Sequence, residues 1–159
     1  MGAHQVSIGI IVYSHTGHTR SVVARLHDAL VAAGHHVTLE PLETVRPLQM
    51  GDTSAELRDV PDVGTYDVLV LACPVRGGTP APPMRVYLEQ LPTLEGKEVV
   101  CLVTGVMPAN WGREQALVQM GEMCQAKGAQ VLASDSIRWS SLRRGRRIAE
   151  VVDRLTGLF

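Results

Sequence analysis

The segment Ser14-His15-Thr16-Gly17-His18-Thr19 places three hydroxyl side chains and a glycine between an apolar run and an amphipathic stretch. The first N–H groups of a helix attract a phosphate, because they are free donors at the positive end of the helix dipole. Hydroxyls add further donors, and Gly17 lets the backbone come close to the ligand. The segment therefore predicts a phosphate site, with a Ser- and Thr-rich helix N-cap as the alternative.

This segment lacks the signatures of other phosphate and metal sites. A Walker A loop needs Gly-Lys-Ser/Thr, but the Gly-Lys pair at 96–97 is followed by glutamate, and the chain has no GxGxxG. A Cys-x5-Arg phosphatase loop needs a cysteine after the first strand, and a receiver domain needs an aspartate where Cys73 stands. His15 and His18 have no third ligand nearby, so we predict that they are exposed loop residues whose amides bind the phosphate.

Apolar runs and helical spacings alternate along the chain. The runs predict strands over 6–13, 36–42, 67–73, 98–104 and 130–137. Apolar residues at helical spacing predict helices around Val22–Ala33, Met84–Leu91, Leu117–Cys124 and Ile148–Leu155. Pro41 favours an edge position for the second strand, and a short helix is predicted at Ser54–Arg58 within the irregular segment 43–64.

This alternation predicts an α/β fold, a doubly wound five-stranded parallel sheet with helices on both faces. The 159 residues suit a single domain over 1–159. Ligands of such sheets bind at the carboxyl ends of the strands, where the strand order reverses. We therefore expect the chemistry in the loops after the first, third and fourth strands.

The Ser/Thr-x-Thr-Gly-x-Thr pattern of residues 14–19 resembles the phosphate loop of the flavodoxin family, and the element order of the whole chain is similar to that family. The resemblance implies a flavodoxin-like strand order of 2-1-3-4-5 and FMN as the cofactor. It also implies that the hydroxyls of Ser14, Thr16 and Thr19 and the amides of the loop hold the FMN phosphate.

In this family the loops after the third and fourth strands embrace the flavin ring. The resemblance assigns the ring to Pro74, Val75, Arg76, Gly77 and Gly78 in the Pro74–Pro83 loop, and to Thr104, Gly105, Trp111, Gly112 and Arg113. Trp111 would stack on the ring, or else anchor its loop on a neighbouring helix. Arg76 and Arg113 would bring positive charge near the ring.

The first ring loop has no aromatic residue, whereas many flavodoxins place one in each loop. One face of the ring would then be covered by aliphatic or backbone groups or be open, and an open face suits a second substrate. Residues 74–78 also resemble the Pro-x-Arg-x-Gly loop of flavodoxin-like quinone reductases. The first hypothesis is an electron carrier between redox partners. The alternatives are an FMN-dependent NAD(P)H or quinone reductase and a flavin-less interaction module.

Composition limits the partners and the compartment. A net charge of −1 argues against nucleic acid, and the chain has no apolar run long enough to span a membrane. Three dispersed cysteines and the absence of a visible signal peptide predict a cytoplasmic protein. The expected partner is a redox protein or a small electron acceptor.

Two features near the end of the chain are open to alternatives. The arginines at 138, 143, 144, 146 and 147 would dock an acidic partner or the extra phosphate of NADPH, or else form a solvated first turn of the last helix. Trp139 would face a partner in a homodimer or cap the sheet edge.

Overall fold

The structure is a computed structural model that describes residues 5–107 and 112–159. Its strands are β1 (Ser7–Val12), β2 (His36–Pro41), β3 (Val68–Arg76), β4 (Thr79–Pro80), β5 (Glu98–Gly105) and β6 (Gln130–Arg138). Its helices are α1 (His18–Ala32), α2 (Pro82–Gln90), α3 (Arg113–Ala126) and α4 (Arg144–Thr156).

The five long strands form a parallel sheet in the order β2-β1-β3-β5-β6, and β4 pairs antiparallel with the end of β3. Without the two-residue β4 this order is 2-1-3-4-5, which confirms the predicted fold class. The strand β2, with Pro41 as its last residue, lies at one edge of the sheet as predicted.

Side chains of the central strands alternate between two apolar cores, because successive residues of a strand point to opposite faces. Leu69, Leu71 and Cys73 of β3 pack on the face covered by α2 and α3. Val68 and Val70 pack on the opposite face with α1 and α4. The predicted helical stripes are confirmed at Val22, Met84, Met120, Ile148 and at most of the residues that share their spacing.

The structure corrects the prediction that Pro74–Pro83 is a loop. β3 continues to Arg76, a two-residue turn follows, and β4 returns along β3 before α2 begins at Pro82. Gly77 and Gly78 both have positive φ, at 57° and 81°. A tight hairpin whose two central residues both have positive φ matches the strand twist, and glycine adopts that conformation without steric cost.

The predicted helix at Ser54–Arg58 is wrong. Leu57 instead forms an isolated antiparallel bridge with Thr44, and the residues around it are neither helix nor strand. Buried Leu48 and Val63 anchor the segment on the core of α2, and the hydroxyl of Tyr87 donates to the carbonyl of Pro61 at 2.7 Å. Tertiary anchoring, rather than local helix propensity, therefore sets the path of this segment.

The three cysteines are free and buried. Burial raises the pKa of the Cys73 thiol to about 12, so this residue is neutral and unreactive in the core. Among the described residues no helix is long and apolar enough to cross a membrane. The same residues contain no group of three or more His, Cys, Asp or Glu side chains placed to hold a metal ion.

Candidate functional site

The carboxyl ends of β1, β3 and β5 lie side by side, because these strands are neighbours in a parallel sheet. Adjacent strands are about 5 Å apart. The loop before α1, the hairpin of β3 and β4, and the connection from β5 to α3 therefore share one edge of the sheet. This is the edge at which ligands of doubly wound sheets bind.

The loop of residues 14–19 ends at the first turn of α1. The Ser14 hydroxyl oxygen accepts the amides of Gly17 and Arg20, at 3.1 and 3.2 Å. Gly17 precedes the helix in the left-handed conformation with φ of 90°, and the first turn contains no acidic residue. Within residues 5–107 and 112–159, the amides of His15, Thr16, His18 and Thr19 have no protein acceptor. These amides and the helix dipole favour an anion at this point.

The three predicted phosphate hydroxyls lie in different surroundings. Thr16 is exposed, and Ser14 is partly buried, with its hydroxyl accepting the amide of Arg20 in the first turn of α1, whose N-cap residue is Gly17. Thr19 is buried, and its hydroxyl shares a hydrogen bond of 2.8 Å with the hydroxyl of Thr104. The structure thus ties the phosphate loop to the end of β5 through Thr19 and Thr104. Thr16 has the most accessible hydroxyl.

We expect Thr104→Val to destabilise the protein by about 1–3 kcal/mol, because it leaves the buried Thr19 hydroxyl without a partner. The double variant Thr19→Val with Thr104→Val replaces both hydroxyls by methyl groups and should recover most of that loss. Urea unfolding of the single and double variants measures the difference. If the double variant lost more stability than the sum of the losses of the two single variants, that result would contradict the pairing.

The structure corrects the prediction that His18 is an exposed loop residue, because His18 is partly buried and is the first residue of α1. Its imidazole stacks on the indole of Trp139, with ring centroids 4.2 Å apart and planes 13° apart. The guanidinium of Arg144 lies 4.4 Å from the Trp139 ring centroid, and Arg144 Nη1 donates to the carbonyl of Trp139 at 2.6 Å. The indole at the end of β6 therefore packs against the phosphate loop. His15 is exposed as predicted.

A cavity of about 690 Å³ lies between the β3–β4 hairpin and the β5–α3 connection. We call it the hairpin cavity; it is lined by Val75, Gly77, Gly78, Gly105, Val106, Met107 and Gly112–Gln115. The two loops come close together beside it. A Cβ added to Gly112 would lie only 3.0 Å from the Cα of Gly78.

A second cavity of about 700 Å³ adjoins the first, and we call it the lateral cavity. Its lining includes His15, Leu48, Met50–Thr53, Arg76, Gly77 and Arg85. Gly77 lines both cavities, and His15 brings the phosphate loop to the lateral one. The lateral cavity thus shares Gly77 with the hairpin cavity and His15 with the phosphate loop.

Most of the predicted ring residues meet in these cavities. Val75, Gly77, Gly78, Gly105, Gly112 and Arg113 line the hairpin cavity. Pro74 and Thr104 lie opposite each other in the register of β3 and β5 and are not among the residues that line the cavity. Trp111, predicted to stack on the ring, lies outside the described residues.

Arg76 points away from the hairpin cavity and lines the lateral one. Its Nη1 donates to the carbonyl of Gln49 at 3.2 Å. Burial raises the pKa of the Tyr13 phenol, and the nearby positive charge of Arg76 partly opposes that rise.

Leu48 and residues 50–53 line the lateral cavity, a role that the sequence does not predict. Arg85 Nη2 donates to the carbonyl of Thr53 at 2.9 Å, so arginines at 76 and 85 both hold this segment against the hairpin. These bonds end on backbone carbonyls, so no side-chain pattern in the segment could have indicated them.

Comparisons with known proteins agree on the architecture. No family sequence model matches the chain, and no curated protein is significantly similar to it in sequence. Flavodoxin 2 from Bacillus cereus superposes with a TM-score of 0.70 at 19% identity, covering 96% of this chain and 99% of that chain. The Streptococcus pneumonia TIGR4 flavodoxin gives 0.69 at 18% identity, over 96% of this chain and 100% of that one.

The two-electron reduced flavodoxin of Megasphaera elsdenii gives a TM-score of 0.63 at 20% identity, over 92% of this chain and 98% of that chain. These similarities extend over nearly the whole chain at identities that establish the fold. Together with the strand order, they confirm what the phosphate-loop pattern indicated: the chain has the flavodoxin-like fold.

Proposed function

We propose that this chain binds FMN and transfers electrons between redox partners. The observation that carries the proposal is the loop before α1 and the start of that helix, where the amides of residues 15, 16, 18 and 19 have no protein acceptor within the described residues. This turn lies on the same edge of the sheet as the hairpin cavity. The Ser/Thr-x-Thr-Gly-x-Thr pattern and the flavodoxin-like fold support FMN as the ligand.

The phosphate loop fits a dianion. Its amides and the exposed Thr16 hydroxyl are donors, and no carboxylate occupies the first turn of α1. An ideal Cβ at Gly17 would meet no atom within 4 Å, so the space beside the loop is open to a ligand. Hydrogen bonds to a charged acceptor contribute about 1.5–3 kcal/mol each, so a few of them suffice for tight binding.

The hairpin cavity fits a flat apolar ring. Its volume of about 690 Å³ lies in the usual range for cofactor sites, and Val75, Val106 and Met107 give it apolar walls. Bound FMN would supply the capacity to accept and release electrons. The chain would hold the phosphate on α1, orient the ring between the hairpin and the β5–α3 connection, and limit the access of water.

A reductase acting on NAD(P)H or a quinone is the second candidate, and one observation favours it. The hairpin carries no aromatic residue between Pro74 and Pro80, so aliphatic and backbone groups form that wall of the cavity. A small electron donor or acceptor would reach a ring bound in this cavity more easily than it would reach a ring enclosed by two aromatic side chains.

We expect the purified protein to bind FMN and to quench its fluorescence. If FMN binds the folded state alone, a concentration about a thousand times its dissociation constant should add ~4 kcal/mol of stability. Fluorescence titration gives the affinity, and thermal melts with and without FMN give the stabilisation. Unquenched flavin and identical melts would contradict the proposal and favour an interaction module without flavin.

Turnover separates the two candidate functions. The FMN-loaded protein is expected not to oxidise NADH or NADPH steadily when a quinone is added, because a carrier exchanges electrons with a protein partner. Absorbance at 340 nm follows the reaction, with free FMN at equal concentration as the control. Sustained oxidation above that control would establish the reductase and exclude a pure carrier.

A further inference from the structure

A third cavity, of about 470 Å³, lies beyond the hairpin cavity, at the free edge of β6. We call it the arginine cavity; its lining comprises Arg113, Ser136, Arg138, Ser141, Arg143, Arg146, Arg147 and Glu150. Five cationic side chains and two hydroxyls thus surround one concave space that contains a single carboxylate. This composition fits an anionic ligand of small size.

Two helices begin at this cavity. Arg113 is the first residue of α3, and Arg143 is the N-cap of α4. The first turn of α4 contains no acidic residue and instead carries Arg144, Arg146 and Arg147. Cations are unfavourable at the positive end of a helix dipole, so the chain breaks a local stability rule at this position. Such violations are expected where a site serves a ligand.

The arginines differ in their protein partners. Arg147 Nη2 donates to the buried carboxylate of Asp135 at 3.4 Å, and Arg138 Nε donates to the Ser140 hydroxyl at 3.1 Å. Within residues 5–107 and 112–159, the exposed guanidiniums of Arg143 and Arg146 make no hydrogen bond or ion pair. These two side chains are therefore available to an added anion.

The positive charges at this site act on one another. Arg113 is only 8% exposed. Burial lowers the pKa of its guanidinium, and the charges of Arg138 and Arg147 lower it further. A bound anion would relieve this repulsion, because it would place a negative charge among the positively charged arginines.

We propose that the arginine cavity binds the phosphoryl group of a small ligand that lies beside the hairpin cavity. Guanidinium groups match phosphate oxygens in paired hydrogen bonds, and helix N-termini add amide donors. Arg113 lines both cavities, so a ligand held here extends toward the hairpin cavity. The phosphoryl group belongs either to a free inorganic phosphate or to a nucleotide, and the chemistry of recognition is the same for both.

Isothermal titration calorimetry of the full chain tests the site with two probes, inorganic pyrophosphate and adenosine 2′,5′-bisphosphate. We expect Arg143→Gln with Arg146→Gln to weaken binding at least tenfold. Arg25→Gln with Arg58→Gln is the matched control, because both residues are exposed and the net charge changes equally. The control should bind as the unmodified chain does.

Pyrophosphate could also occupy the phosphate loop, so Thr16→Glu serves as a second control. Binding that is retained in Thr16→Glu and lost in Arg143→Gln with Arg146→Gln supports the arginine cavity. Binding lost in Thr16→Glu alone, or weakened equally by the Arg25 and Arg58 variant, overturns the proposal. Tighter binding of the bisphosphate than of pyrophosphate indicates a nucleotide, and the reverse indicates an inorganic phosphate. The titrations need no FMN, so they remain decisive even if the chain does not bind flavin.

Discussion

Thr16→Glu is expected to weaken FMN binding at least a hundredfold while leaving the affinity for riboflavin unchanged. Thr16 is exposed in the phosphate loop, so a longer side chain there should not disturb the core. A carboxylate about 6 Å from a phosphate of charge near −2 costs about 3 kcal/mol at an effective dielectric constant of ~40. The lost hydrogen bond of the hydroxyl adds about 1.5–3 kcal/mol.

Thr16→Gln is the matched control, because it has nearly the shape of glutamate without the charge. It should weaken FMN binding by the hydrogen-bond contribution alone, about tenfold to a hundredfold. Riboflavin lacks the phosphate, so its affinity should be the same for the unmodified chain and both variants. Fluorescence titration with both flavins measures these affinities. Equal loss of FMN and riboflavin binding in Thr16→Glu would show that the loop supports the ring rather than the phosphate.

The architecture was predictable from the sequence because its signals are strong and local. The buried strands are continuous apolar runs, and the helices carry apolar stripes that end at glycines such as Gly34 and Gly128. The phosphate loop was predictable for the same reason, since hydroxyls and a glycine follow directly on an apolar strand. The local conformational preferences of these residues thus agree with the positions that they take in the fold.

The path of residues 43–64 was not predictable, because distant contacts determine it. Leu57 pairs with Thr44, and Arg76 and Arg85 hold the segment by its carbonyls. The sequence predicts a loop rather than a hairpin at this point, because four prolines lie within residues 74–83. The pairing partner of Thr79 is Arg76, on the far side of two glycines, and prolines at the edge of a ladder do not prevent that pairing.

Contacts between side chains of remote elements were the least accessible to sequence reasoning. His18 and Trp139 are 121 residues apart in sequence, yet their rings stack at 4.2 Å. From the sequence, His18 is predicted to be an exposed loop residue and Trp139 a dimer contact or an edge cap. Their stacking follows from topology, because α1 and α4 pack on the same face of the sheet and begin at the same edge.

Gly112→Ala is expected to destabilise the protein by about 2–4 kcal/mol. Gly112 has a φ of 76°, and a Cβ there would lie 3.0 Å from the Cα and 3.2 Å from the amide nitrogen of Gly78. The left-handed conformation costs a residue with a side chain about 1 kcal/mol or more. Contact with a backbone that cannot rotate away adds overpacking strain of ~1–3 kcal/mol.

Gly77→Ala separates the two causes of that loss. Gly77 lies in the hairpin, next to Gly78, and like Gly112 it has positive φ, at 57°, but its Cβ would meet no atom within 4 Å. It should therefore cost only the conformational part, about 1–2 kcal/mol. Urea unfolding of both variants gives the difference, which is the contribution of close contact between the hairpin and the β5–α3 connection. Equal destabilisation by the two substitutions would mean that the loops move apart freely, and the hairpin cavity would then lack the fixed walls that hold a flat ring.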